Sequence, residues 1–142
     1  MYKNTQYDGN NNNKILDKVS HEKLQKEVLL KKLEFISRNM KNKKIIGFGT
    51  SGQYKQNQEI YKFNISYFID NYMDKYGKVF DGKIICSPNK LLEENKNDVF
   101  IVVFSQVYYG EIRKQLRDMS YCEYSNFYSF SVEELRMLYD IC

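Results

Sequence analysis

The stretch Lys44-Ile45-Ile46-Gly47-Phe48-Gly49-Thr50-Ser51-Gly52 decides how this chain is read. Lys44, Ile45 and Ile46 begin a short strand that runs without a linker into a GxGxxG turn made by Gly47, Gly49 and Gly52. A polar segment, about residues 51–62, follows and is expected to be a helix. In that arrangement Gly47 allows the tight turn, Gly49 lets the backbone approach a phosphate, and Gly52 lets helix and strand pack closely. Free N–H groups at the helix start favour an anion, and Thr50 and Ser51 add hydroxyl donors. Next, Ile65, Tyr67 and Ile69 alternate with Ser66 and Phe68 as a second strand ending at Asp70. Asp70 stands where a ribose-binding acid would stand, with Asn71 beside it. The plainer alternative is a sharp strand-to-helix turn, with Asp70 only finishing a strand.

Further along, Gly77 and Gly82 mark a turn-rich stretch before a third strand at Ile84-Ile85-Cys86. Ser87-Pro88 reads as a helix start, Ser as N-cap and Pro at the first helical position. Val99-Phe100-Ile101-Val102-Val103-Phe104 is an unbroken β-branched and aromatic run, as expected of a strand buried on both faces of a parallel sheet. Ser105 and Gln106 follow at its carboxyl end, where open α/β sheets bind ligands, so Ser105, Gln106 and Tyr109 are secondary lining candidates. Tyr108, Ile112, Leu116 and Met119 form a helical stripe, and a fifth strand fits residues 124–130. Ser131 and Glu134 have capping-box spacing and open a last helix bearing Leu135, Leu138 and Tyr139.

Upstream of the turn, Leu29, Leu33, Ile36 and Met40 recur at i, i+4, i+7 and i+11, with Leu24 and Val28 widening the stripe. This predicts an amphipathic helix over residues 20–40, with Ser20 as N-cap, packed on its own domain or against a second chain. Residues 1–19, with four consecutive asparagines at Asn10 to Asn13, are expected to be a flexible tail. The expected fold class is α/β, a three-layer sandwich with a mostly parallel sheet of about five strands and the helix before it. Residues 20–142 then form a single domain.

Composition narrows the functional classes. The longest strongly apolar run, Val99 to Phe104, is far short of the roughly 20 residues of a membrane helix. The N-terminus has no apolar signal region, so the chain reads as cytoplasmic and not membrane-inserted. The net charge of +4 is mild and the lysines are dispersed, with no interleaved basic and aromatic pattern for nucleic acid. A lone histidine, His21, and three cysteines without CxxC spacing (Cys86, Cys122 and Cys142) leave no His-based metal site or nucleophile triad to assemble. No catalytic residue can be named.

The succession from Lys44 to Gly52, then Tyr67-Phe68-Ile69-Asp70-Asn71, Lys75-Tyr76-Gly77, Asp81-Gly82-Lys83-Ile84-Ile85 and Ser87-Pro88, resembles a family of small Rossmann-like domains of bacterial surface-polysaccharide enzymes. Those domains occur N-terminally in sugar-nucleotide dehydratases and sugar acetyltransferases, and C-terminally in sugar C-methyltransferases. Val99 to Ser105, Glu111-Ile112 and Gln115-Leu116 continue the likeness, which covers about residues 43–130. It implies a domain that binds a nucleotide, a nucleotide-sugar or NAD(P), with chemistry supplied by a partner sugar-modifying enzyme. The implied site is Gly47, Gly49, Thr50, Ser51, Gly52, Asp70 and Asn71. The chain has no Tyr-x-x-x-Lys pair, so no proton relay to a sugar hydroxyl can be drawn. A small NAD-dependent oxidoreductase completed by dimerisation, and a regulatory subunit that has lost its ligand, are the competing expectations.

Overall fold

The computed structural model describes the backbone of residues 2–141 and the side chains of residues 17–141. The flexible tail expected over residues 1–19 falls for the most part outside the described side chains. The chain divides into two compact units, Met1–Lys32 and Leu33–Cys142. Helix α1 is Tyr2–Met40, so Ser20 lies inside it rather than capping it. Within the first unit Val19, Leu24 and Val28 are exposed.

The second unit begins with residues 33–40 of α1, where Leu33 and Ile36 have no solvent exposure. The helix ends through Asn42, which adopts a positive φ of 62° and lets the chain turn toward the sheet. Strands β1 (Lys44–Phe48), β2 (Ile65–Ile69), β3 (Val79–Phe80), β4 (Lys83–Cys86), β5 (Val99–Val103) and β6 (Phe127–Tyr128) form one six-stranded sheet in the order β3-β4-β2-β1-β5-β6. The pairs β1–β2, β1–β5, β2–β4 and β5–β6 are parallel, and only β3–β4 is antiparallel. The expected mostly parallel sheet is present, with one strand more than expected. That strand, β3, is the first arm of a hairpin closed by Asp81 and Gly82, whose positive φ values of 48° and 76° suit a two-residue hairpin turn.

Side chains of alternating parity cover the two faces of the sheet. Ile46, Phe48, Tyr67, Ile69, Ile101 and Val103 pack with Ile112 and Leu116 of α3 (Tyr109–Asp118). On the opposite face Phe68 and Phe104 meet Tyr54, the only buried residue of α2 (Gly52–Gln56), with ring centroids 5.2 and 4.8 Å away. All five residues of β5 are buried, as the sequence of a doubly covered strand requires. Helix α4 (Val132–Ile141) starts with a complete capping box: the Glu134 N–H donates to Ser131 Oγ at 3.1 Å, and the Ser131 N–H donates to Glu134 Oε1 at 2.9 Å.

Two expected helices change form. The segment after the glycine turn is helical for only five residues, Gly52–Gln56, and not to residue 62. Its polar sequence offers one apolar anchor, Tyr54, so nothing propagates the helix beyond the first turns. The segment after Ser87-Pro88 is a 3-10 helix, Pro88–Glu93, and Ser87 caps it as expected by accepting from the Asn89 N–H at 3.2 Å.

Candidate functional site

Because β1, β2 and β5 are parallel, the loops leaving their carboxyl ends gather at one edge of the sheet, and a cleft of about 450 Å³ opens there. The loop after β1 contributes Gly49 and Ser51, and the loop after β2 contributes Asp70, Asn71, Tyr72 and Lys75. Ser105, Tyr108, Glu111 and Ile112 line it from the β5 side. Of the implied site residues, Gly49, Ser51, Asp70 and Asn71 therefore meet in one cavity. Gly47, Thr50 and Gly52 lie around it without lining it.

The three glycines differ in what they do. A Cβ on Gly47 would sit 2.7 Å from the Phe68 ring and 2.9 Å from the Phe104 ring, so Gly47 serves core packing between two aromatics. Gly49 has φ +111°, a conformation L side chains rarely adopt, and its N–H donates to the Ile69 carbonyl at 2.9 Å. A Cβ on Gly52 would meet nothing within 4 Å, which corrects the expectation that this glycine lets helix and strand pack closely.

Asp70 is held by its own chain. Its Oδ2 accepts from the Thr50 N–H at 3.0 Å and from Thr50 Oγ1 at 2.7 Å, and its Oδ1 accepts from the Tyr72 N–H at 2.9 Å. Lys75 completes the clasp, donating to Thr50 O at 3.3 Å and Thr50 Oγ1 at 3.1 Å, with its ammonium 3.8 Å from Asp70. An ionised carboxylate offers roughly four acceptor positions. Three are filled here by protein donors, so the acid is tied into joining the β1 turn to the β2 end. Asn71 exchanges two hydrogen bonds with Gln115 of α3, at 3.0 and 2.9 Å, and so links the loop after β2 to that helix.

The secondary candidates separate. Ser105 lines the cleft and its Oγ accepts from the Tyr108 N–H at 3.2 Å. Gln106 does not line it: its N–H donates to Gln53 at 2.6 Å and its amide donates to Ser129. Tyr109 is also turned away, its hydroxyl donating to Glu123 at 2.5 Å, and burial together with that carboxylate pushes its pKa upward. The sequence reading did not pick out Lys75, Tyr72, Tyr108 or Glu111 as lining residues. Their signal is weak, because each is a polar or aromatic residue in a loop or first helical turn and only the parallel topology brings them together.

No group of three or more His, Cys, Asp or Glu side chains among the described residues is placed to hold a metal ion. No helix among the described residues is long and apolar enough to cross a membrane. No curated protein matches the chain. Residues 41–126, which carry the strands and loops that build the cleft up to the end of α3 and just beyond, match the family described as "C2185-like, N-terminal", and the chain belongs to that family.

Proposed function

We propose that this chain is a nucleotide- or nucleotide-sugar-binding module, not catalytic by itself, that serves a sugar-modifying enzyme in surface-polysaccharide synthesis. One observation carries the binding half of this reading. The cleft opens at the carboxyl ends of β1, β2 and β5, beside the strand at which the sheet order reverses. Open parallel sheets with Rossmann-like order bind ligands in that crevice. The link to polysaccharide synthesis rests on the resemblance of residues 43–130 to domains of those enzymes.

The five-residue α2 is too short to lend a helix dipole to a phosphate. In this reading the anion is held instead by the Lys75 ammonium and the Ser51 hydroxyl, both of which line the cleft. An ammonium has three donors, and Thr50 takes two of them.

The test is a thermal-shift series on the purified chain with NAD, NADP, coenzyme A and UDP-, dTDP-, GDP- and CDP-sugars, followed by titration calorimetry. A ligand at about 100 times its dissociation constant stabilises the native state by about 2.7 kcal/mol, a readily measured shift. The Lys75→Met variant should bind the same ligand more weakly. A melting temperature unmoved by every compound at millimolar concentration rejects the proposal. That result would favour a second reading, a regulatory domain without a ligand, which the self-satisfied Thr50–Asp70–Lys75 clasp supports.

A further inference from the structure

Asp70 is the acid expected to meet a ligand's hydroxyls, yet it is already committed to Thr50, Tyr72 and Lys75. We propose that Glu111 takes that role and is the carboxylate that accepts the vicinal hydroxyls of a ribose or hexose. This inference rests on the reading of the cleft as a nucleotide or nucleotide-sugar site. Glu111 lines the same cleft from the first turn of α3, and its side chain has no hydrogen bond or ion pair with any described residue.

The basic side chains of α3 leave that charge unneutralised. Lys114 pairs with Asp118 at 2.8 Å, while Arg113 and Arg117 pair with Glu123 at 3.7 and 3.1 Å. Tyr108, three residues before Glu111, also lines the cleft and is 61% exposed, so it adds an aromatic ring to the same wall. On the β2 side the cleft presents Lys75 and Tyr72, the ammonium 6.0 Å from the ring centre. Asp70 lies 3.8 Å from that ammonium, so the β2 side offers the spare N–H donor of Lys75 rather than a net charge, while the α3 side offers the unpaired carboxylate of Glu111. A ligand carrying phosphate at one end and a polyol at the other fits that pairing of a donor with an acceptor, with phosphate toward Lys75 and hydroxyls toward Glu111. The usual placement, in which the sugar lies over the β2 acid, is reversed.

The simpler role for Glu111 is that of an acid in a first helical turn, complementing the helix dipole. Calorimetry and thermal melts on wild type, Glu111→Gln and Asp70→Asn, with UDP-glucose, dTDP-glucose and NAD as probes, separate the two. For a probe that binds wild type, Glu111→Gln should lower affinity about ten- to a hundredfold, the range for hydrogen bonds to a charged group. Its melting temperature should stay near that of wild type. Asp70→Asn should melt lower and keep affinity within about threefold, because its side chain holds the turn and not the sugar. Wild-type affinity in Glu111→Gln, or a greater loss of affinity in Asp70→Asn, overturns the inference while leaving the binding function standing. Failure of wild type to bind any of the wider ligand series rejects the function itself, and the inference with it.

Discussion

At the scale of single residues, the glycine turn makes three different predictions from three glycines. Gly47→Ala forces a methyl into the Phe68 and Phe104 rings and should cost about 1–3 kcal/mol, the usual range for overpacking a core. Gly49→Ala meets only ordinary contact, its Cβ 3.5 Å from the Phe104 carbonyl oxygen, but it must adopt φ +111°. Backbone strain of that kind costs about 1–3 kcal/mol, so the variant is destabilised before any ligand is considered. Gly52→Ala has open space and no positive φ, and should be neutral or stabilising by up to about 1 kcal/mol. Urea denaturation of the three variants checks the order. Equal effects at all three positions would mean that the turn is not built as described. The sequence marked these glycines together as one motif, because spacing carries no information about which Cβ would clash.

At the scale of elements, three tyrosines join segments distant in sequence by donating to carboxylates. Tyr54 of α2 donates to Asp81 in the hairpin turn, Tyr67 of β2 donates to Glu94, and Tyr109 of α3 donates to Glu123. Burial, with help from each acceptor, raises all three phenolic pKa values well above the usual range near 10. In the unfolded chain these phenols lose their protons from about pH 10, whereas the folded chain still holds them. Their stabilisation is therefore complete below that pH and declines as pH rises above it. Wild type should lose stability as pH rises from about 10 to about 12, and a Tyr54→Phe, Tyr67→Phe, Tyr109→Phe variant should lose less over the same interval in urea melts. The elements themselves were unevenly legible. Val99 to Phe104 announced a buried parallel strand, and Ser131 with Glu134 announced a helix start, because both are local patterns. Strand β3 was not, since two residues between turn signals have no periodicity. The length of α2 was overestimated because a polar run without a stripe gives no stopping point.

For the whole molecule, Leu33 and Ile36 of α1 are part of the core of the second unit. Leu33→Ala should cost about 2–5 kcal/mol, as large-to-small changes at fully buried sites do. Leu24→Gln with Val28→Gln, at exposed positions in the first unit, should leave the unfolding transition of residues 33–142 in place. If these two side chains join a second copy of the chain, light scattering of that variant will show the loss of mass. The candidate cleft was legible as a location, since Gly49 and Asp70 both line it. Its hydrogen bonding and its α3 wall were not. Two of the three hydrogen bonds that occupy Asp70 come from Thr50, 20 residues away in sequence, and Glu111 reaches the cleft only through the β5–α3 connection. The ends of the sheet carry a different consequence. Its outer strands, β3 and β6, are two residues each, and Lys78 immediately precedes β3 at the edge. Neither edge presents a row of unpaired backbone groups long enough to template another chain's strand, and a lysine at an edge opposes such pairing. The domain should therefore resist edge-to-edge aggregation, even though its interior strands are hydrophobic enough to form fibrils if they were laid bare.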